Sequence, residues 1–163
     1  MPTPTTPGPD QESVWDYPRP PALESEDRRI RVVFNEVTIA DTTDALRVLE
    51  TSHPPVYYLP PEDIATEHLE REQQTTMCEF KGRAVYYTLT VGDRSSRSAA
   101  WGYPDPTARF AELQDYVTFY ASKVDECYVG DEEARAQEGD FYGGWITDDV
   151  VGPFKGGPGT MGW

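Results

Sequence analysis

The stretch Arg83-Ala84-Val85-Tyr86-Tyr87-Thr88-Leu89-Thr90-Val91 decides the fold. Side chains on a strand alternate between two faces. That rule places Val85, Tyr87, Leu89 and Val91 on one face, and Ala84, Tyr86, Thr88 and Thr90 on the other. Gly92-Asp93 then reads as a turn. This is the clearest strand in the chain.

Shorter runs of the same kind lie on both sides. Ile30, Val32 and Phe34 alternate with Arg31 and Val33, and Val37 and Ile39 alternate with Thr38. The polar pair Asn35-Glu36 between them predicts a hairpin. Leu46–Leu49 is a third candidate strand. His53-Pro54-Pro55 and Pro60-Pro61 bracket Val56-Tyr57-Tyr58-Leu59, which permits a short strand and disfavours a long helix. Residues 61–74 read as irregular or extended, because Ile64 and Leu69 alone make a poor apolar stripe. After Pro106, Thr107 is placed to cap a short helix in which Phe110, Leu113 and Val117 share a face. Tyr116–Tyr120 and Val124–Val129 read as two closing strands. The sum is a mainly β single domain of roughly seven short strands and one short helix.

The 163 residues carry 29 Asp and Glu against 14 Lys and Arg, a formal charge of −15. Such a balance argues against broad nucleic-acid binding, which needs clustered cations. No apolar run approaches the roughly 18 residues that span a bilayer, and Met1-Pro2-Thr3-Pro4 does not read as a secretory signal. Cys78 and Cys127 make no disulfide framework, so a cytoplasmic protein with reduced thiols is expected. Of 30 Leu, Ile, Val and Phe residues, 23 fall within 30–129. Residues 30–129 are therefore expected to form the core domain. Residues 1–29, with seven prolines in the first 21, read as a Pro-rich arm that is disordered over 1–13. Docking of residues 14–22 and a solvated linker are both open. Residues 130–163 carry apolar side chains, and Gly139–Trp163 holds eight of the 13 glycines, so a Gly-rich arm packed on the core is expected.

Three stretches invite chemistry. In Thr76-Met77-Cys78-Glu79-Phe80-Lys81-Gly82, a nearby ammonium lowers the pKa of a thiol and makes it nucleophilic. The alternative is a buried, inert cysteine, and His53 and His68 are the only histidines available as partners. Residues 81–109 hold five cations (Lys81, Arg83, Arg94, Arg97 and Arg109) against Asp93 and Asp105. With Tyr86, Tyr87, Trp101 and Tyr103 they can line an anion pocket, or they can pair with acidic neighbours. Trp101-Gly102-Tyr103-Pro104-Asp105-Pro106 is a stiff loop that either walls a ligand site or plugs the fold. The run from Gly152 to Thr160 is no phosphate loop, because Lys155 precedes the glycines and no helix follows. No zinc-ligand spacing and no Asp-x-Asp occurs, so no metal and no cofactor is expected.

Thr76 to Tyr87 resembles the signature of the bacterial domain of unknown function 427, and Ala99-Ala100-Trp101-Gly102-Tyr103-Pro104-Asp105-Pro106 resembles its second signature. The hairpin at 30–40 and Tyr57–Asp63 fit the same family. The resemblance implies a fold similar to the β-tent fold, which also occurs in methionine-R-sulfoxide reductases and the thalidomide-binding domain of cereblon. Those relatives usually hold zinc between two C-x-x-C pairs, which this sequence lacks. The family is sometimes labelled a nucleotidyltransferase, a label that the residues here do not support. Gly102 and Phe80 stand where bulkier or more polar aromatic residues are frequent, and both are expected to enlarge the pocket.

These residues point to a binding module in which Cys78, Lys81, Tyr87, Trp101, Tyr103 and Asp105 surround a small organic or anionic ligand. The rival is an enzyme with Cys78 as nucleophile or redox centre and Lys81 beside it. A protein-interaction role for the Pro-rich arm and nucleotidyl transfer are the remaining alternatives. No nucleic-acid or membrane partner is expected.

Overall fold

The computed structural model describes residues 2–139 and 142–163. The protein is mainly β. Gly82–Val91 lies inside a four-stranded antiparallel sheet, between Leu69–Cys78 and Arg94–Gly102, with Val117–Phe119 at the far edge. Val91 pairs with Arg94 around Gly92-Asp93, and Gly92 takes a positive φ of 61° that glycine adopts without strain. Both faces of this sheet are covered. Leu89 and Val91 join the main core with Ile30, Val32, Phe34, Leu59 and Phe119. Ala84 and Tyr86 join a second cluster with Tyr58, Trp101, Tyr103 and Phe110.

The second four-stranded sheet has the order Glu132–Glu133, Glu126–Val129, Ile30–Phe34, Val37–Thr42. Asn35 and Glu36 both have positive φ, 49° and 65°, as a two-residue hairpin turn requires. Asn35 also ties the sheets together. Its amide donates to Asp125 Oδ2 at 2.6 Å and its side chain donates to the Val91 carbonyl at 2.9 Å. A three-stranded sheet of Ala22–Glu26, Ala45–Leu49 and Val56–Tyr58 continues into the first through two backbone bonds between Leu59 and Val117.

Several local expectations are corrected. The helix after Pro106 is a kinked pair of tight 3₁₀ turns, Ala108–Leu113. Phe110 and Leu113 are buried as expected of an apolar face, but Val117 has already entered a strand. The Thr107 hydroxyl does not cap; it donates to the Phe80 carbonyl at 2.6 Å. So short a segment makes too few bonds to offset helix nucleation. Residues 61–74 are irregular and then extended, as expected: two 3₁₀ turns, Pro61–Asp63 and Thr66–His68, precede the strand Leu69–Cys78.

Disorder is also corrected within residues 2–13, while Met1 lies outside the described residues. Glu12–Ser13 pairs in parallel with Val150–Val151, and the Thr5 amide donates to the Gly152 carbonyl at 2.8 Å. Val14 and Tyr17 bury themselves against Leu49 and Val150. The Trp15 indole N–H donates to the Pro153 carbonyl at 2.9 Å, and its ring lies 5.5 Å from that of Trp163. Apolar side chains supply the binding energy that the proline-rich composition hides. The C-terminal segment is anchored by Trp145, which is fully buried in the main core and donates from its indole to the Phe119 carbonyl at 2.9 Å. Among the described residues no helix is long and apolar enough to cross a membrane.

Candidate functional site

Ala84 and Tyr86 point to the face of the first sheet away from the main core. Trp101 sits opposite Tyr86 on the neighbouring strand. Tyr58, Tyr103 and Tyr120 close around them, and the rings of Trp101 and Tyr120 stand 4.4 Å apart. Tyr58 meets Trp101 edge-on at 6.4 Å and Tyr103 at 6.1 Å. These rings form the floor of a cavity of about 360 Å³, a volume ordinary for a small-molecule site.

The hairpin end supplies one wall, with Thr76, Met77, Cys78 and Lys81. Its shape is fixed by Gly82, whose φ is 108°. A β-carbon at Gly82 would lie 3.2 Å from the Asp105 carbonyl oxygen, so the missing side chain lets the 101–106 loop approach. The Thr107 amide then donates to the Lys81 carbonyl at 3.0 Å. Two stretches distant in sequence are locked together in this way. Lys81 is only 9% exposed and forms no ion pair among the described residues. Its ammonium lies 5.9 Å from the centre of the Phe110 ring.

Glu50 and His53 form the opposite wall with Gln137, Tyr142, Gly143 and Lys155 of the C-terminal segment. His53 Nδ1 lies 3.0 Å from the Thr51 carbonyl oxygen. A carbonyl only accepts, so Nδ1 carries the proton and Nε2 presents a lone pair. Burial lowers the His53 pKa, and the ring is neutral near pH 7. Burial also raises the phenol pKa of Tyr58, Tyr103 and Tyr120, so these walls carry no negative charge.

Four of the six residues read from the sequence line this cavity: Cys78, Lys81, Trp101 and Tyr103. Tyr87 and Asp105 do not. Tyr87 packs against the main core, on the other face of its strand from Tyr86. The Asp105 residue is exposed, and only its carbonyl faces Gly82. The basic stretch is also dispersed. Arg94 pairs with Asp125 at 2.8 Å, Arg97 lies on the surface beside Glu72, and Arg83 and Arg109 are exposed. Lys81 alone of the five cations reaches the pocket. Neither Gly102 nor Phe80 enlarges it. A β-carbon at Gly102 would lie 2.5 Å from the Tyr116 carbonyl oxygen, so its bare side faces a neighbouring strand. Phe80 packs against the second cluster outside the cavity lining.

Sequence reading missed Tyr58 and Tyr86 as a pair. The signal was the likeness of Val56-Tyr57-Tyr58 to Val85-Tyr86-Tyr87. In each triplet one tyrosine packs with the main core (Tyr57, Tyr87) and the other faces the cavity (Tyr58, Tyr86). Cys78 and Cys127 are both free, and Cys127 is buried in the main core, where burial raises its thiol pKa. No group of three or more His, Cys, Asp or Glu among the described residues is arranged to hold a metal ion.

The two signature stretches meet at the Lys81 turn, and the family described as Domain of unknown function (DUF427) matches residues 22–130. The chain belongs to the DUF427 family. The match covers the cavity residues from Glu50 to Tyr120 and ends before Gln137, Tyr142, Gly143 and Lys155. The outer part of the wall opposite Lys81 in this DUF427 protein, Gln137, Tyr142, Gly143 and Lys155, therefore comes from chain beyond the matched domain. No curated protein matches the chain.

Proposed function

We propose that this chain is a small-molecule or anion binding module whose ligand occupies the cavity between Trp101 and Lys81. The observation that carries the reading is Lys81 itself. The Lys81 side chain has no ion pair among the described residues and lines a cavity floored by aromatic rings, so a bound anion can answer its charge there. The same proposal places the protein in the cytoplasm, with both thiols reduced, and among β-tent-like folds. The two antiparallel sheets joined at the Asn35 turn support that last point. A thermal-shift screen of metabolites tests the binding reading, with Trp101→Ala and Lys81→Ala as controls. Hits are expected to raise the Tm of the native protein and to lose that effect in both variants. Hits that shift both variants as much as the native protein contradict the site.

The rival reading makes Cys78 a nucleophile or redox centre. It is favoured by one observation: Cys78 lines the same cavity as Lys81 and His53. Iodoacetamide alkylation across a pH series separates the two. A binding module predicts alkylation no faster than that of a small-molecule thiol at each pH. Markedly faster alkylation at neutral pH favours the enzyme.

A further inference from the structure

The charged groups around the cavity are not equivalent. Glu50 lies 3.7 Å from Arg19, so its charge is answered. The Lys155 ammonium donates to the Trp163 carbonyl oxygen at 3.3 Å and sits 5.7 Å from the centre of the Tyr142 ring. His53 is held neutral by burial, with Nδ1 turned to Thr51. Gln137 is engaged on both sides, accepting from the Gly144 amide at 3.1 Å and donating to the Lys155 carbonyl at 2.6 Å. Lys81 remains as the one charged group of the lining whose side chain makes no hydrogen bond or ion pair among the described residues.

Lys155 is held by the Trp163 carbonyl and the Tyr142 ring, so Lys81 is the cation placed to meet one negative charge of a ligand. The rest of the lining sets the ligand's body. Trp101, Tyr58, Tyr103 and Tyr120 pack on one another into a continuous aromatic floor, which favours a flat aromatic partner over a branched one. Size narrows the class further. A cavity of roughly 150 Å³ holds one benzene ring, so about 360 Å³ has room for two fused rings and a carboxylate.

We propose that the ligand is a planar aromatic monocarboxylate, with its carboxylate on the Lys81 ammonium and its rings against Trp101 and Tyr103. This assignment rests on the pocket reading above and adds the charge, the number of charges and the shape. A doubly charged phosphate ester would need Lys155 to leave its contact with Trp163 to meet the second charge.

Three probes of one shape test it by titration of intrinsic tryptophan fluorescence: naphthoate, neutral naphthamide and naphthyl phosphate. Naphthoate is expected to bind the native protein about 10- to 100-fold more tightly than naphthamide, the range for one desolvated charge-assisted hydrogen bond. Lys81→Met is expected to abolish that preference, and Lys81→Arg to keep most of it. Equal affinity for naphthoate and naphthamide in the native protein overturns the charge assignment and leaves the pocket reading standing. Tighter binding of naphthyl phosphate overturns the single-charge assignment. Binding of none of the three, with tryptophan emission unmoved, defeats both readings. The comparison within the native protein decides the matter even where a variant folds poorly.

Discussion

Gly143 lies flat against the indole of Trp101: a β-carbon at position 143 would overlap Cη2 and come within 2.7 Å of Cζ3. The C-terminal segment thus rests directly on the ring that floors the cavity. Any side chain at 143 must move that ring or lift the segment. Gly143→Ala is expected to destabilise the protein by about 1–3 kcal/mol, the cost of overpacking a tight contact. It should also weaken naphthoate binding. Gly162→Ala, where an added β-carbon meets nothing within 4 Å, should change stability by less than about 0.5 kcal/mol. Urea denaturation of the two variants checks the contrast.

The neighbouring residues Tyr86 and Tyr87 serve opposite faces of one strand. Tyr86→Leu should lower affinity for naphthoate about 3- to 10-fold, the range of one aromatic contact. The same change also loses the Tyr86 hydroxyl bond to Thr76 Oγ1 at 2.8 Å. Tyr87→Leu should leave the affinity unaltered and lower stability instead. Calorimetric titration alongside thermal melting separates the two effects.

Trp15 straps the two termini together through Pro153 and Trp163. Trp15→Ala should therefore loosen the outer wall while sparing the sheets. Amide hydrogen exchange is expected to quicken about tenfold or more at Glu12, which donates to Asp149, and at Lys155, which donates to Ser52. Exchange at Tyr86 and Leu89 should not change. Uniform acceleration across the chain would show that the strap is part of one cooperative unit.

Arg28 bridges Glu26 at 2.6 Å and Asp149 at 2.7 Å, joining the core domain to the C-terminal segment. Burial works to raise both carboxyl pKa values, but bonds from Arg28, and from Thr147 to Asp149, outweigh it and hold both below their ordinary values. A depressed folded-state pKa gives stability that is full above the unfolded value and is lost as pH falls through the folded one. Stability should therefore begin to fall as pH drops past the ordinary values of 4.5 for Glu26 and 3.8 for Asp149, and continue falling below them. Arg28→Met should flatten this acid limb in pH-dependent thermal melts.

Period-two alternation made the strand 83–91 and the hairpin at 35–36 legible, because each pattern is local. Cys78, Lys81, Trp101 and Tyr103 were legible for a similar reason: they cluster in two short stretches. Alternation placed Tyr86 and Tyr87 on different faces but not which face holds the cavity, since apolar residues cover both. His53, Gln137, Tyr142 and Lys155 come from separate segments, and only the chain's return over Trp101 brings them to the site. The N-terminal strap was hidden because its pairing partners, Val150 and Val151, lie at the other end of the sequence. Charge summed along residues 81–109 misled, because the strands and their turns carry those cations to different surfaces.

The most direct test of the pocket is a proton–nitrogen correlation spectrum of labelled protein titrated with naphthoate. The account predicts concentration-dependent shifts at the Trp101 indole N–H and at the Cys78 and Lys81 amides, with Gly143 following across the cavity. Shifts confined to the Arg97 surface, or to the Arg28 bridge between Glu26 and Asp149, would contradict it.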